Sequence, residues 1–302
     1  MIKKIKRKIY SIFKSDSYPT LRLIDIFSIR VQRTYPSIFG ELKENSFIKL
    51  LDKSRLIFWT FLAKSHKGFE CCYRKNYSKT NNKYLNEIKK NGFVVIENFI
   101  PEKEYIKLLK NCLEIKKNLL KDEKPSKKQL KNLGYKNLEY SSYEIICKNL
   151  NYFTKEFFHE ETKPKIFANL QVCRDFNGMQ DKDDGTTLWH ADRFIPSLNA
   201  QYYPLGSDDW MPTERIVKSP YIGGIKEIEK LQYHYKNLKD YSNENFKIYK
   251  SICKPNTLVL AFHHILHRKA KITRVGERFM IFITHYNCFT KKSLFKSFFK
   301  FN

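Results

Sequence analysis

The chain has 302 residues, 42% of them hydrophobic and 15% aromatic, with 24 Phe and 19 Tyr. That apolar content excludes a disordered chain, and the length is enough for one large buried core plus an extension. The net charge is +26, from 57 Lys and Arg against 31 Asp and Glu. Charge of this size fits a nucleic-acid partner, an anionic membrane surface, or a Lys-rich composition with no partner at all. No zinc-finger spacing or RNA-binding signature is present, so no nucleic-acid partner is expected. The seven cysteines (Cys71, Cys72, Cys112, Cys147, Cys173, Cys253 and Cys288) are odd in number and irregularly spaced. They form no disulfide framework and no C-x-x-C pair, which predicts free thiols in a reducing, cytoplasmic compartment. The longest apolar run near the N-terminus, Leu56–Ala63, falls far short of the ~20 residues a bilayer span needs. No cleaved signal peptide is expected either.

Taken in order, residues 1–15 place Ile2, Ile5, Ile9 and Ile12 at helical spacing with Lys and Arg between them. Such a basic amphipathic helix can lie on an anionic membrane surface or pack on the protein's own core, and both readings stay open. Asp25–Val31 and Phe47–Ala63 also read as helical, which makes residues 1–80 a basic helical extension. A short helix is expected around Tyr84, Leu85 and Ile88, ended by Gly92, and a buried strand over Phe93–Ile96. Pro101 opens a second helix with Tyr105, Ile106, Leu108, Leu109, Cys112 and Leu113 as its apolar face. Lys121–Lys131 reads as a polar loop, Tyr143–Phe158 as a helix and Ile166–Cys173 as a strand. The Gly- and Asp-rich stretch Asp175–Gly185 is a loop. Strands are expected at Leu198–Tyr203, Thr257–Phe262 and Arg278–Tyr286, with a helical, Tyr-rich insertion over Ile225–Tyr249. Residues 291–302 form a second basic, aromatic tail.

Residues able to do chemistry concentrate in the second half. His190 and Asp192 are two apart, so on extended backbone both point to one face and can reach one ion. His263, His264 and His267 compete to be a third ligand. Two imidazoles and one carboxylate on one side of a metal leave three positions open, the arrangement of non-haem Fe(II) oxygenases. Arg278 shares a strand face with Met280, Phe282 and Thr284 and therefore points inward, where a buried guanidinium needs a partner. That partner is either a ligand carboxylate, gripped by two parallel hydrogen bonds, or a protein Asp or Glu. Thr187 is placed to hydrogen-bond a cosubstrate or a neighbouring strand, and Trp189 to pack on the side away from His190.

Four segments together resemble the phytanoyl-CoA dioxygenase-like family of Fe(II)/2-oxoglutarate-dependent oxygenases. They are Asn91-Gly92-Phe93-Val94-Val95-Ile96-Glu97-Asn98-Phe99-Ile100, Leu188-Trp189-His190-Ala191-Asp192, Pro212-Thr213-Glu214-Arg215-Ile216-Val217-Lys218-Ser219, and Thr257–Leu260 through Leu266-His267-Arg268 to Arg278. They span roughly residues 81 to 287, and His267 and Arg278 are eleven apart, as the family's last metal ligand and its 2-oxoglutarate arginine usually are. The resemblance implies an α+β fold with a mainly β core: a double-stranded β-helix of the jelly-roll or cupin type over 81–290, with flanking helices. It implies metal ligands His190, Asp192 and His267, 2-oxoglutarate held by Arg278 and Thr187, and Fe(II), 2-oxoglutarate and O2 as cofactor and cosubstrates. Hydroxylation of a small molecule, of lipid or sugar type, is the activity it implies. The chain departs from the family at Lys218 and Pro220, where a Gly and a His are usual, and at Lys269, where some members carry a small hydroxyl. A second reading keeps the barrel but makes it a non-catalytic binding protein at a membrane surface.

Overall fold

A computed structural model of the chain describes residues 82–124, 129–138, 143–158, 165–178, 187, 189–190, 198–217 and 247–284. All of them belong to one compact unit, 67–288. The expectations for residues 1–80, for most of the 225–249 insertion and for the 291–302 tail fall outside the described residues, as do Asp192, Lys218 and Pro220.

Helix α1 (Lys83–Asn91) starts where the Asn82 carboxamide oxygen accepts the backbone N–H groups of Tyr84 and Leu85, at 3.0 and 3.2 Å. These are donors that the first turn of a helix cannot satisfy for itself. It ends at Gly92, whose φ of 85° lies in the left-handed region that a residue without Cβ enters freely. The chain then runs directly into strand β1 (Phe93–Ile96). Helix α2 (Glu102–Lys121) buries Leu108, Cys112 and Leu119, but Ile106 and Leu113 are about half exposed, at 47% and 49%. The 3.6-residue period explains this correction: 108, 112 and 119 form one stripe, and 106 and 113 fall on the opposite side. Helix α3 (Glu144–Phe158) turns Ile146, Cys147, Leu150, Phe153 and Phe157 inward.

The remaining strands, in chain order, are β2 (Leu130–Asn137), β3 (Lys165–Cys173), β4 (Leu198–Tyr203), β5 (Thr213–Ile216), β6 (Ile248–Lys250), β7 (Thr257–Phe262), β8 (His267–Lys269) and β9 (Gly276–Thr284). They build two antiparallel sheets, one of six strands in the order β1-β7-β4-β9-β3-β2 and one of three in the order β6-β5-β8. Four of these strands depart from expectation, among them β8, whose three residues were not read as a strand. β2 begins inside the stretch read as a loop. It is the sheet's edge, so its sequence need not alternate, and Gly134, at φ 70°, sits where the ladder bulges between Leu133 and Tyr135. β5 lies in the segment read as a turn; all four of its residues are buried, so it shows no alternation either. Residues 248–250, at the end of the insertion read as helical, are a strand paired to β5.

The two faces of the six-stranded sheet differ in character. One carries Val94, Leu170, Ala200, Leu260, Phe262 and Ile281, which join Leu85, Leu108, Cys112, Ile146 and Phe157 from the helices in the main apolar core. The other carries Asn169, Gln171, Gln201, Tyr203, Arg278 and Met280, and these too are buried. They are covered by the three-stranded sheet. Arg278 on β9 reaches Thr213 on β5, Arg215 on β5 reaches Gln201 on β4, and the rings of Phe93 and Tyr249 lie 4.9 Å apart. The protein thus has an apolar layer under its helices and a polar interior between its sheets. No helix of the described residues is long and apolar enough to cross a membrane.

Candidate active site

His190 and His267 come together at the edge of the three-stranded sheet. Each donates its backbone N–H to the other's carbonyl at 3.0 Å, an isolated bridge that adds His190 to the edge of β8. Their rings are 4.5 Å apart between centroids, and His190 is only 5% exposed. The Nδ1 atom of His267 lies 2.8 Å from the Ile265 carbonyl oxygen. A carbonyl accepts only, so Nδ1 carries the proton, and in the neutral ring the lone pair is then on Nε2, the form a metal ligand needs. Two adjacent imidazoles, one of them fixed in that tautomer, fit two ligands of one ion. Asp192, the expected third ligand, lies outside the described residues, and among those residues no group of three His, Cys, Asp or Glu side chains converges. Thr187 is half-buried three residues ahead of His190.

The competing histidines, His263 and His264, are both 3% exposed in the turn between β7 and β8. His264 stacks on Phe262 at 5.1 Å and 13°, against a residue of the helix-covered core. On the outward side of β8, Arg268 lies over the Trp189 ring at 4.5 Å and donates from Nε to Glu214 at 2.7 Å. Strand alternation therefore turns His267 and Lys269 to the inner face.

Arg278 is 2% exposed. Its Nε donates to Gln171 Oε1 at 3.0 Å, with a second, shorter bond from Nη2 to the same oxygen. Its Nη1 donates to the Met211 carbonyl at 2.5 Å and to Thr213 Oγ1 at 3.3 Å. Gln171 is held in that orientation by its own Nε2, which donates to Asn132 at 2.9 Å. Every one of these acceptors is neutral, and among the described residues no carboxylate pairs with Arg278. Burial, and the nearby Arg215 guanidinium, push its pKa down to about 10, so it stays a cation at neutral pH.

Arg215, 3% exposed, stands directly opposite His267 in the β5–β8 ladder. It donates to Gln201 Oε1 at 2.7 Å and to Ser251 Oγ at 2.5 Å, and Gln201 Oε1 also accepts from Tyr203 Oη at 2.9 Å. Two buried guanidinium groups therefore share the interior with amides and hydroxyls around them. Neutral dipoles compensate a buried cation less well than an anion does, so the surroundings of Arg278, among the described residues, suit a negatively charged ligand. Sequence reasoning found Arg278 but missed Arg215, Gln171 and Gln201. A signal was available for the two amides: in I-F-A-N-L-Q-V-C and L-N-A-Q-Y-Y, polar residues recur at every second position of an otherwise apolar strand.

No family model and no curated protein matches the sequence. Solved structures do resemble the fold. AviO1 from Streptomyces viridochromogenes Tue57 is 13% identical, with 68% of this chain and 96% of that chain covered, at a TM-score of 0.43. HygX from Streptomyces hygroscopicus, solved with nickel and 2-oxoglutarate bound, is 12% identical over 68% and 87% of the two chains, at 0.42. SnoN, described as a non-heme alpha ketoglutarate dependent epimerase from nogalamycin biosynthesis, is 8% identical over 67% and 81%, at 0.46. At such identities and scores the likeness does not say what this chain binds.

Proposed function

We propose that this protein is an Fe(II)- and 2-oxoglutarate-dependent dioxygenase of the phytanoyl-CoA dioxygenase-like kind. Its two sheets would be the halves of a double-stranded β-helix spanning 81–290, and its substrate a small molecule of lipid or sugar type. The observation that carries the reading is Arg278: a buried cation whose partners among the described residues are all neutral, in the same interior as the paired imidazoles of His190 and His267. An acid ligand answers the first and a metal the second.

In this reading His190, His267 and Asp192 hold the metal, and Arg278 anchors the distal carboxylate of 2-oxoglutarate, assisted by Thr187. Fe(II) with 2-oxoglutarate, when bound, supplies the activation of O2, with release of succinate and CO2. The protein's own part is positioning. The Ile265 carbonyl keeps the proton of His267 on Nδ1, and Gln171 and the Met211 carbonyl fix the plane of the Arg278 guanidinium. Burial between the two sheets keeps water away from Arg278, which strengthens its attraction for a carboxylate. The presence of Asp192 in the His-x-Asp pair is an argument for hydroxylation, because related halogenases lack that carboxylate, which leaves room for chloride.

The test is succinate release with Fe(II) and 2-oxoglutarate over a panel of acyl thioesters, amino acids, lipids and sugars. Succinate formation that depends on both Fe(II) and one of these metabolites is the expected result. Binding of 2-oxoglutarate without turnover of any of them would leave the non-catalytic reading. No binding at all would overturn the proposal.

A further inference from the structure

Asn169 lies in the middle of β3, on the face turned toward the three-stranded sheet. It pairs across the β3–β9 ladder with Met280, one step along from the Gln171–Arg278 pair. It is 1% exposed, and among the described residues neither its Oδ1 nor its Nδ2 has a hydrogen-bond partner. Its neighbour on the same face behaves differently: Gln171 uses its oxygen for Arg278 and its nitrogen for Asn132. A buried carboxamide with both ends unsatisfied costs stability, and an apolar residue in its place would not. Such a cost persists where a ligand removes it. Diagonal neighbours on adjacent strands stand about 7–8 Å apart, so the Asn169 side chain starts at that separation from Arg278 on one side of one cavity wall.

We infer that Asn169 is a ligand-binding residue for the acid that Arg278 holds. Its Nδ2–H donates to an oxygen of the carboxylate-bearing cosubstrate, and its Oδ1 accepts from a water or hydroxyl carried in with the ligand. A neutral amide suits the position because it adds a directed donor without a further positive charge in an interior that already holds Arg278 and Arg215. The inference rests on the proposed use of 2-oxoglutarate and extends it to a residue outside the metal and arginine motifs.

The experiment uses the full chain loaded with Mn(II), with 2-oxoglutarate as the probe. Affinity is read by calorimetry, and Tm is measured with and without the probe. Asn169→Leu removes both polar ends at similar volume. It is expected to fold with a Tm at or above that of the wild type when ligand-free, and to bind 2-oxoglutarate at least tenfold more weakly. Asn169→Asp places a carboxylate within reach of Arg278, and is expected to raise the ligand-free Tm and abolish binding by occupying the guanidinium from within. Wild-type affinity in either variant overturns the assignment. So does a ligand-free Tm of Asn169→Leu well below the wild type, which marks the amide as part of the fold. A wild-type protein that itself fails to bind 2-oxoglutarate overturns the functional proposal and this inference together, whereas an unaffected variant overturns this inference alone.

Discussion

His190 and His267 are joined by two backbone hydrogen bonds of 3.0 Å, with ring centroids 4.5 Å apart, although 77 positions separate them in the chain (267 − 190). A paired backbone fixes both Cβ positions, so the imidazoles meet without any loop having to close. His190→Ala and His267→Ala are expected to abolish metal-dependent 2-oxoglutarate turnover. His264→Ala should instead lower stability, because its ring stacks on Phe262 in the apolar core. Metal binding by equilibrium dialysis separates the two effects: loss in His264→Ala with retention in His267→Ala would reverse the ligand assignment.

Arg278→Lys keeps the charge but loses the planar fork that Gln171, Thr213 and the Met211 carbonyl hold in place. A compact ammonium cannot make those bonds in one plane and still direct a further N–H at a carboxylate, as the remaining Nη2–H can. The affinity for 2-oxoglutarate is expected to fall about tenfold or more, equivalent to about 1.4 kcal/mol, with metal binding intact. Calorimetric titration of the metal-loaded variant measures this directly, and an unchanged affinity would move the anchor elsewhere.

Gly276 opens β9 against the face of Trp210. A Cβ there would come within 2.5 Å of Trp210 Cγ, and Trp210 is 1% exposed with its Nε1 donating to the Glu277 carbonyl at 3.2 Å. The ring has no room to move, so Gly276→Ala should cost about 1–3 kcal/mol by overpacking. Because Met211, next to Trp210, supplies a carbonyl to Arg278, the same variant should also weaken 2-oxoglutarate binding. Denaturant unfolding and the titration above read the two effects separately.

Glu123, just past α2, is held to the sheet by Lys131 at 2.8 Å and Arg174 at 3.0 Å, and Arg174 also pairs with Glu277. Hydrogen bonds from Lys131 and then Arg174 pull the Glu123 carboxyl below the usual carboxylate range. A carboxyl lowered in the folded state contributes stability that is present above its unfolded pKa, and that contribution is lost as the pH falls through the folded value. Glu123→Gln should therefore lower Tm slightly at pH 7, by the equivalent of about 0.2–1 kcal/mol for a partly exposed pair, and less at high salt. Near pH 3 the gap between the two proteins should narrow. A gap independent of pH would assign the effect to packing.

The sequence by itself determined the elements whose residues are sorted by local rules. Asn82 and Gly92 bound α1 because a carboxamide caps the helix and only Gly enters the left-handed region cheaply. The runs at Phe93–Ile96, Leu198–Tyr203 and Thr257–Phe262 are strands because they are apolar or β-branched and too short for helices. His190, His267 and Arg278 were legible as an ordered set with family-like spacing. Which surface each strand covers was decided only by the tertiary structure. Asn169, Gln171, Asn199 and Gln201 alternate with apolar residues as solvent-facing positions do, yet a second sheet lies over Asn169, Gln171 and Gln201 and encloses them with Arg215 and Arg278. β5 and β8 were invisible as strands because four and three residues carry no period of their own; they exist through the pairings Arg215↔His267 and Thr213↔Lys269. Local chemistry sets where a chain bends and pleats, but the charge environment of a buried group depends on residues brought near it from far along the chain. For that reason Arg278 could be named from the sequence, whereas the neutral shell around it could be seen only in the fold.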